Sequence, residues 1–174
     1  MLGLETATRF TSAALVDDEE LLAEYTYCGP GRPSQVLMPM VDRLFRDAGV
    51  GREKLDVLAV GAGPGSFTGL RLGLATAQGL AYALGIPVVG VSTLEAMAFP
   101  WIGTGHLVVP ALDAQRGRVY AAGYPGGFSP RTVEWEALLD RLAGDTAGSL
   151  AGRPGPVTAR LTAAFRELTR SGSG

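Results

Sequence analysis

The sequence predicts an α/β protein with mixed sheets and two lobes, and two patterns lead to this fold class. Short apolar or alternating runs typical of strands are interspersed with longer runs whose apolar residues recur at helical spacing. A strand that ends in a carboxylate, followed by a turn and a returning strand, also occurs twice. Ala13-Ala14 follows Leu4-Glu5, and at the same distance Ala121-Ala122 follows Leu112-Asp113. Such an echo is what two lobes related by duplication would produce. Chance is the alternative, because alanine and leucine are abundant in this chain.

Residues 1–101 are expected to form the first lobe, in the order β-β-β-α-β-α-β-α. The three opening strands are separated by turn-forming residues, which predicts an antiparallel meander. The strands are predicted at Leu2–Glu5, Ser12–Val16, Leu21–Tyr27, Leu55–Val60 and Ile86–Val91, and the helices at Ser34–Asp47, Leu70–Leu84 and Leu94–Phe99.

The first predicted helix is indicated by an apolar stripe and by residues suited to its two ends. Ser34 is expected to cap its start, and Gly49 to end it. Pro39 is expected in the first turn, where its missing N–H matters least. The stripe consists of Val36, Leu37, Met40, Val41, Leu44 and Phe45.

Residues 102–174 are expected to form a second, shortened lobe. Its final residues, 171–174, are predicted to be frayed. The other elements are predicted as strands at Leu107–Leu112 and Arg118–Tyr124, a helix around Trp135–Leu142, a loop over Gly144–Pro156, and a last helix with the apolar stripe Leu161, Ala164, Phe165 and Leu168.

Composition excludes several classes of function. The net charge of −2 argues against direct, tight binding of nucleic acid or of an anionic membrane. The chain has one cysteine, Cys28, and one histidine, His106. It can therefore form no internal disulfide and no zinc site built from several such ligands. No metal and no cofactor are expected. No apolar run is long enough for a membrane span, and the N-terminus does not look like a signal peptide, which predicts a cytoplasmic protein.

A glycine-rich loop, residues 61–69, lies between a predicted strand and the start of a predicted helix. Backbone N–H groups and the helix dipole could bind a phosphate there, with help from Ser66, Thr68 and Arg71. The loop matches neither the dinucleotide fingerprint nor the phosphate-loop pattern, since glycine is missing at the sixth place and no lysine is near. A tight turn whose glycines permit close packing is the alternative, and both interpretations stay open on the sequence.

The helix after this loop contains two rows of small residues. One row is Gly69, Gly73, Ala77, Ala81 and Gly85, and the other is Ala75, Gly79 and Ala83. Glycine inside a helix costs about 1 kcal/mol relative to alanine, so close approach by another element is the best reason for it. One side of this apolar helix can face the sheet. The other side needs a neighbouring helix or a partner protein.

Glu5 and Asp113 each follow a predicted strand and precede a turn. Two carboxylates facing a cleft could hold Mg²⁺ and a nucleotide. Carboxylates at strand ends also cap turns, and this alternative stays open at the level of the sequence.

The segment Gly63–Gly73 resembles a long and specific motif of the TsaB (YeaZ) family. Three further stretches resemble family landmarks in the family's order, at Leu4–Thr8, Gly90–Ala96 and Ala111–Tyr120. The resemblance covers about residues 1 to 124. Glu5 departs from the pattern, since relatives usually have aspartate at this place.

The resemblance implies an actin-like fold of the Hsp70 and sugar-kinase type, with two lobes. It implies a non-catalytic subunit that scaffolds and activates the enzyme TsaD. TsaD would synthesise N6-threonylcarbamoyladenosine in tRNA, at the position next to the anticodon. TsaD carries paired histidines that hold a metal, which the single His106 cannot reproduce. A small ATPase, TsaE, would join the ternary complex, the chain alone would form a homodimer, and tRNA would be contacted only indirectly. The alternative is a small ATPase or phosphotransferase of the same fold, acting on its own.

The resemblance also implies where partners bind, because family members pair through the two helices of the first lobe. The expected partner interface comprises Leu37, Met40, Val41, Leu44, Leu72, Gly73, Ala75, Thr76, Gly79 and Ala83. The candidate vestigial phosphate loop comprises Thr6, Thr8, Gly63, Gly65, Ser66, Thr68, Gly69 and Arg71.

Overall fold

The computed structural model describes residues 1–18, 20–29, 32–125, 127, 129–140 and 142. Its first five strands form one mixed sheet and its last three form a second sheet. The strands are β1 (Leu2–Glu5), β2 (Thr11–Asp17), β3 (Glu20–Tyr27), β4 (Leu58–Gly61), β5 (Val88–Val91), β6 (Ala111–Asp113), β7 (Arg118–Ala121) and β8 (Arg131–Glu134). The helices are α1 (Pro33–Ala48), α2 (Phe67–Leu84) and α3 (Thr93–Ala98), with short 3₁₀ turns at Arg52–Lys54 and Phe99–Trp101.

The five-stranded sheet has the order β3-β2-β1-β4-β5. Its first three strands pair antiparallel, which confirms the predicted meander, and β1, β4 and β5 run parallel. The element order β-β-β-α-β-α-β-α is confirmed. Strand β4 begins at Leu58 and not at Leu55, because the chain first makes the 3₁₀ turn that Leu55 ends.

One face of this sheet carries the main hydrophobic core. Alternate residues of the strands, such as Leu2, Leu4 and Val60, point to this face and are almost fully buried. Helix α1 packs over β2 and β3, and α2 packs over β4, β1 and β5. The two helices also touch each other, so both lie on the same face of the sheet.

The ends of α1 differ in part from the prediction. The helix begins at Pro33, and Arg32, not Ser34, is its N-cap residue. Proline at the first helical position already has the right φ angle and lacks an N–H that would be unpaired there. Pro39 therefore falls in the second turn and not in the first. Gly49 ends the helix with φ 66°, as predicted.

The second sheet has the order β6-β7-β8, and both of its pairings are antiparallel. The predicted strand Leu107–Leu112 is shorter, since only an isolated bridge joins Val108 to Tyr124 before β6 begins. Strand β8 was not predicted from the sequence. Residues 135–140 are helical, as expected.

Three sequence predictions fall outside the described residues: the loop Gly144–Pro156, the last helix with its apolar stripe, and the frayed residues 171–174. The boundary between the two predicted lobes, at residues 101 and 102, stays a prediction. Within the described ranges, none of the helices combines the length and apolarity needed to cross a membrane.

A polar contact fastens α1 to the strand β3. The Tyr25 hydroxyl donates a hydrogen bond to Asp47 Oδ2, and Arg43 Nε donates to the same oxygen at 3.3 Å. The Arg43 guanidinium also lies 4.9 Å from the centre of the Tyr25 ring. The hydrogen bond from Tyr25, followed by that from Arg43, holds the pKa of Asp47 below its usual value.

We expect Asp47→Asn to remove a pH-dependent contribution to stability. Because the pKa of Asp47 in the folded chain lies below the reference value of 3.8, its carboxylate stabilises the fold above that pH. This contribution is lost as the pH falls through the lowered pKa. The urea midpoint of the variant should therefore lie below that of the wild type at neutral pH, by a small amount because the groups are exposed. The difference should shrink as the pH falls below the reference value of 3.8 and through the lowered pKa of Asp47.

Asp56→Asn is the matched control, because Asp56 is exposed and makes no hydrogen bond or ion pair within the part of the chain that the structure describes. A difference between wild type and Asp47→Asn that stays constant with pH would contradict the assigned role of the carboxylate.

Candidate partner-binding surface

Helix α2 carries its two rows of small residues on opposite sides. Gly69, Gly73, Ala77 and Ala81 are buried against the sheet. Ala75, Gly79 and Ala83 are exposed, and a Cβ added at Gly79 would meet nothing within 4 Å. The prediction that one side of α2 faces the sheet is confirmed, and the other side is open in the described chain.

The buried row is small because the turn after β1 lies directly against it. A Cβ on Gly69 would come within 1.9 Å of the Thr6 carbonyl oxygen, and one on Gly73 within 2.4 Å of Thr6 Oγ1. Thr6 Oγ1 is buried and donates a hydrogen bond of 2.7 Å to the Gly69 carbonyl oxygen. These glycines therefore allow contact with the turn, and Gly73 is not available to a partner.

The exposed side of α2 combines small residues with large ones. Tyr82 is 92% exposed and Phe67 is 69% exposed. The Arg71 guanidinium lies over the Phe67 ring, 4.5 Å from its centre. Aromatic and arginine side chains are the residues that most often dominate binding energy at protein interfaces. Next to Ala75, Gly79 and Ala83, they form a surface that a second helix could approach closely.

Helix α1 contributes less to such a surface than the sequence predicted. Leu37, Val41 and Leu44 are at most 1% exposed and lie in the chain's own core, so their assignment to a partner interface is wrong. The apolar stripe of α1 faces the sheet. Met40 is half-buried, and Met38, which the sequence analysis did not select, is 40% exposed.

Two further predicted interface residues lie on α2 between its faces. Leu72 is half-buried and packs against the core, and Thr76 is half-buried as well. The part of the predicted interface that remains accessible on α2 is therefore its exposed row. We call the group of Phe67, Arg71, Ala75, Gly79, Tyr82 and Ala83 the outer face of α2.

The glycine-rich loop is packed against the turn after β1 and does not form an open cradle. The Ser66 N–H donates to the Ala7 carbonyl oxygen, and the Gly69 N–H donates to Ser66 Oγ at 3.2 Å. The Leu70 N–H donates to the Ser66 carbonyl oxygen as part of the helix start. A Cβ on Gly65 would lie 2.3 Å from the Ala7 carbonyl oxygen. Three N–H donors of this segment are thus engaged and the turn after β1 fills the space beside Gly65, which favours the tight-turn interpretation.

The other predicted phosphate-loop residues do not converge on one point. Thr8 Oγ1 accepts a hydrogen bond of 3.1 Å from the Phe10 N–H, within its own turn. Gly63 has φ 99°, a conformation that favours glycine, and its carbonyl accepts from the Thr93 N–H at 2.9 Å. Thr68 and Arg71 are exposed.

Glu5 and Asp113 both cap the turns that follow their strands. Glu5 Oε1 accepts from the Ala7 N–H, and Asp113 Oδ1 accepts from the Gln115 N–H at 2.7 Å. Each acceptor serves the residue two positions later, as in an Asx turn. Among the described residues, no group of three or more His, Cys, Asp or Glu side chains could hold a metal ion. The geometry therefore favours turn capping at both positions.

Residues 32–145 match a family model described as "TsaD: tRNA N6-adenosine threonylcarbamoyltransferase". The chain is also similar to curated proteins named "tRNA threonylcarbamoyladenosine biosynthesis protein TsaB". The protein from Escherichia coli K12 is 41% identical over 126 residues, which are 71% of this chain and 54% of that protein. The protein from Bacillus subtilis 168 is 35% identical over 124 residues, again 71% of this chain and 54% of that protein. The chain thus spans about half the length of these relatives.

A solved structure, "YeaZ from Pseudomonas aeruginosa", shares the fold with a TM-score of 0.66. It is 34% identical in sequence, and the match covers 76% of this chain and 66% of that chain. Together with the family model, this similarity confirms the predicted actin-like α/β fold with mixed sheets.

We expect Gly69→Ala and Gly79→Ala to have opposite effects on stability, although both lie in α2. The new Cβ at Gly69 would meet the Thr6 backbone, which cannot move aside, so the variant should lose about 1–3 kcal/mol. The Cβ at Gly79 enters open space, so the higher helix propensity of alanine should add about 1 kcal/mol. Urea unfolding of both variants measures the difference, and equal stabilities would contradict the assignment of the two faces.

Proposed function

The chain belongs to the TsaB (YeaZ) family, and we propose that it acts as the non-catalytic subunit that supports TsaD in the synthesis of tRNA N6-threonylcarbamoyladenosine. In this reaction a threonylcarbamoyl group is moved from its adenylate to N6 of the adenosine next to the anticodon. TsaD performs the transfer, and this chain binds TsaD and stabilises its active form. The location is the cytoplasm, where tRNA is modified.

The observation that carries this proposal is the outer face of α2. A helix of low polarity, with Ala75, Gly79 and Ala83 on its exposed side, leaves apolar surface in water unless a partner covers it. The small row allows a partner helix to approach the backbone closely. Tyr82 and Phe67 stand beside it as large, exposed anchors. We propose that TsaD covers this face in the complex and that a second copy covers it in the homodimer.

Catalysis is assigned to TsaD on the basis of residue chemistry. The resemblance to the family implies that TsaD holds its metal through paired histidines, whereas this chain has His106 alone. His106 is exposed and lies at the end of the bend made by residues 104–106. The net charge of −2 agrees with a subunit that contacts tRNA only through the complex, and TsaE would be the third member.

We expect Ala75→Glu to weaken pairing with TsaD from the same organism by at least about tenfold, or about 1.4 kcal/mol. A charged side chain in the middle of a tightly packed apolar contact must be desolvated without a counter-ion. Because Ala75 is exposed in the isolated chain, the fold should be unaffected. Pairing is measured by titration calorimetry and co-elution, and function by a transfer assay with TsaD and tRNA.

Ala137→Glu is the matched control, because Ala137 is also an exposed alanine and lies in a different helical segment, residues 135–140. Full pairing by Ala75→Glu would show that TsaD does not use the outer face. If the wild-type chain neither bound TsaD nor raised its transfer rate, the proposed function itself would be wrong.

The alternative function, an independent ATPase or phosphotransferase, makes a separate prediction. Because the N–H groups of Ser66, Gly69 and Leu70 are already engaged, we expect the isolated chain to bind ATP with Mg²⁺ more weakly than about 1 mM. Calorimetry measures this directly. Micromolar binding that is lost in the Arg71→Ala variant would support the alternative.

A further inference from the structure

The face of the five-stranded sheet opposite α1 and α2 remains partly open. The strand register places five residues in one row across this face, from Glu24 through Ala14, Gly3 and Ala59 to Val89. All five are half-buried or exposed, and Val89 is 50% exposed. Sheets with parallel strands such as β1, β4 and β5 are normally covered on both faces. This second face therefore lacks a layer within the described residues.

The middle of this row is shaped to receive a closely packed element. Gly3, Ala14 and Ala59 line a cavity of about 210 Å³, which Ala96 of α3 bounds on one side. A Cβ on Gly3 would meet only the Ala14 carbonyl oxygen, at 4.0 Å, so the space above the sheet is unfilled by the described chain. The small apolar side chains on this sheet surface leave room for large side chains of a covering element.

We propose that residues 157–170 of this same chain cover the second face of the sheet. These residues lie outside the described part of the chain, and their sequence supplies the argument. Leu161, Ala164, Phe165 and Leu168 recur at spacings of three and four, the pattern of one apolar face. A large side chain such as Phe165 suits a floor of glycine and alanine.

Charge also favours this segment as the occupant. Residues 157–170 contain three arginines, Arg160, Arg166 and Arg170, and one acidic residue, Glu167. The row of sheet residues that this segment would cover ends at Glu24 on β3, which is exposed. An arginine beside the apolar stripe could form an ion pair with the Glu24 carboxylate.

The connecting chain is long enough for this arrangement. Residues 143–156 provide 14 residues between the described part and the segment. Extended chain spans at most about 3.3–3.6 Å per residue, or about 46–50 Å in total. A domain of about 100 residues has a radius of gyration near 13 Å, and thus a diameter of about 33 Å. The segment can therefore reach the second face from any position of residue 142.

Disulfide trapping in the full chain tests the proposal. Cys28, the only cysteine, is exposed and is first replaced by Cys28→Ser. The test pair is Ala59→Cys with Ala164→Cys, and the control pair is Ala75→Cys with Ala164→Cys. Ala59 lies on the proposed face and Ala75 on the outer face of α2, across the sheet. Mild oxidation at about 1 µM protein keeps pairing between molecules rare compared with tethered pairing at about millimolar effective concentration.

The proposal predicts at least about tenfold more intramolecular disulfide in the test pair than in the control pair, as expected from the difference in effective concentration. Equal yields, no disulfide, or only intermolecular disulfide would overturn it, and the last result would assign the face to a second copy. A second measurement does not depend on disulfide geometry. Phe165→Asp should speed maleimide labelling of the thiol introduced by Ala59→Cys. It should leave the labelling rate of the thiol introduced by Ala75→Cys unchanged. If the thiol at position 59 is labelled at the same rate with and without Phe165→Asp, the proposal is also overturned.

Discussion

The arrangement of the five-stranded sheet and its helices depends on the contact between the turn after β1 and the glycine-rich start of α2. The backbone of Thr6 and Ala7 lies where side chains on Gly65 and Gly69 would otherwise be, and Thr6 Oγ1 bonds the Gly69 carbonyl. Backbone can approach backbone this closely only where Cβ is absent. The contact fixes both the position of α2 on the sheet and its rotation about its own axis. It also engages backbone N–H groups of the loop. In other folds, N–H groups of a glycine-rich loop at a helix N-terminus bind phosphate.

Because the rotation of α2 about its axis is fixed, one row of its small residues packs against the sheet and the other row is exposed. Gly73 and Ala77 are buried against the sheet, so larger residues there would disturb the fold before they reported on any partner. Ala75, Gly79 and Ala83 face outward and can be changed without entering the core. If TsaD binds the outer face as proposed, folding and pairing depend on different residues of a single helix, and variants can separate the two.

The sequence predicted the element order, the meander and the small rows of α2, because these follow from local patterns. It could not tell which row faces the sheet, since two rows of similar size give no amphipathic signal. For α1 the opposite error occurred: Leu37, Val41 and Leu44 form an apolar stripe, and such a stripe marks the core before it marks an interface. The sequence signal available for the outer face was the presence of Tyr82 and Phe67, which are exposed. Large aromatic side chains do not fit on the side of α2 that packs closely against the sheet. Strand β8 was missed because its pairing with β7 is not a local property.

Glu5 and Asp113, the two acidic residues at strand ends, each stabilise the turn that follows their strand. Glu5 bonds the Ala7 N–H and accepts a hydrogen bond of 3.3 Å from Thr93 Oγ1, which links β1 to the start of α3. A Cβ on Gly61 would lie 2.3 Å from Glu5 Oε2, so a larger residue there would require the Glu5 carboxylate to move. Asp113 caps the equivalent turn between β6 and β7. The Glu5 carboxylate is thus held by the turn and by α3, and the Asp113 carboxylate by its turn. The repeated acid therefore supports the hairpin between β1 and β2 and the hairpin between β6 and β7.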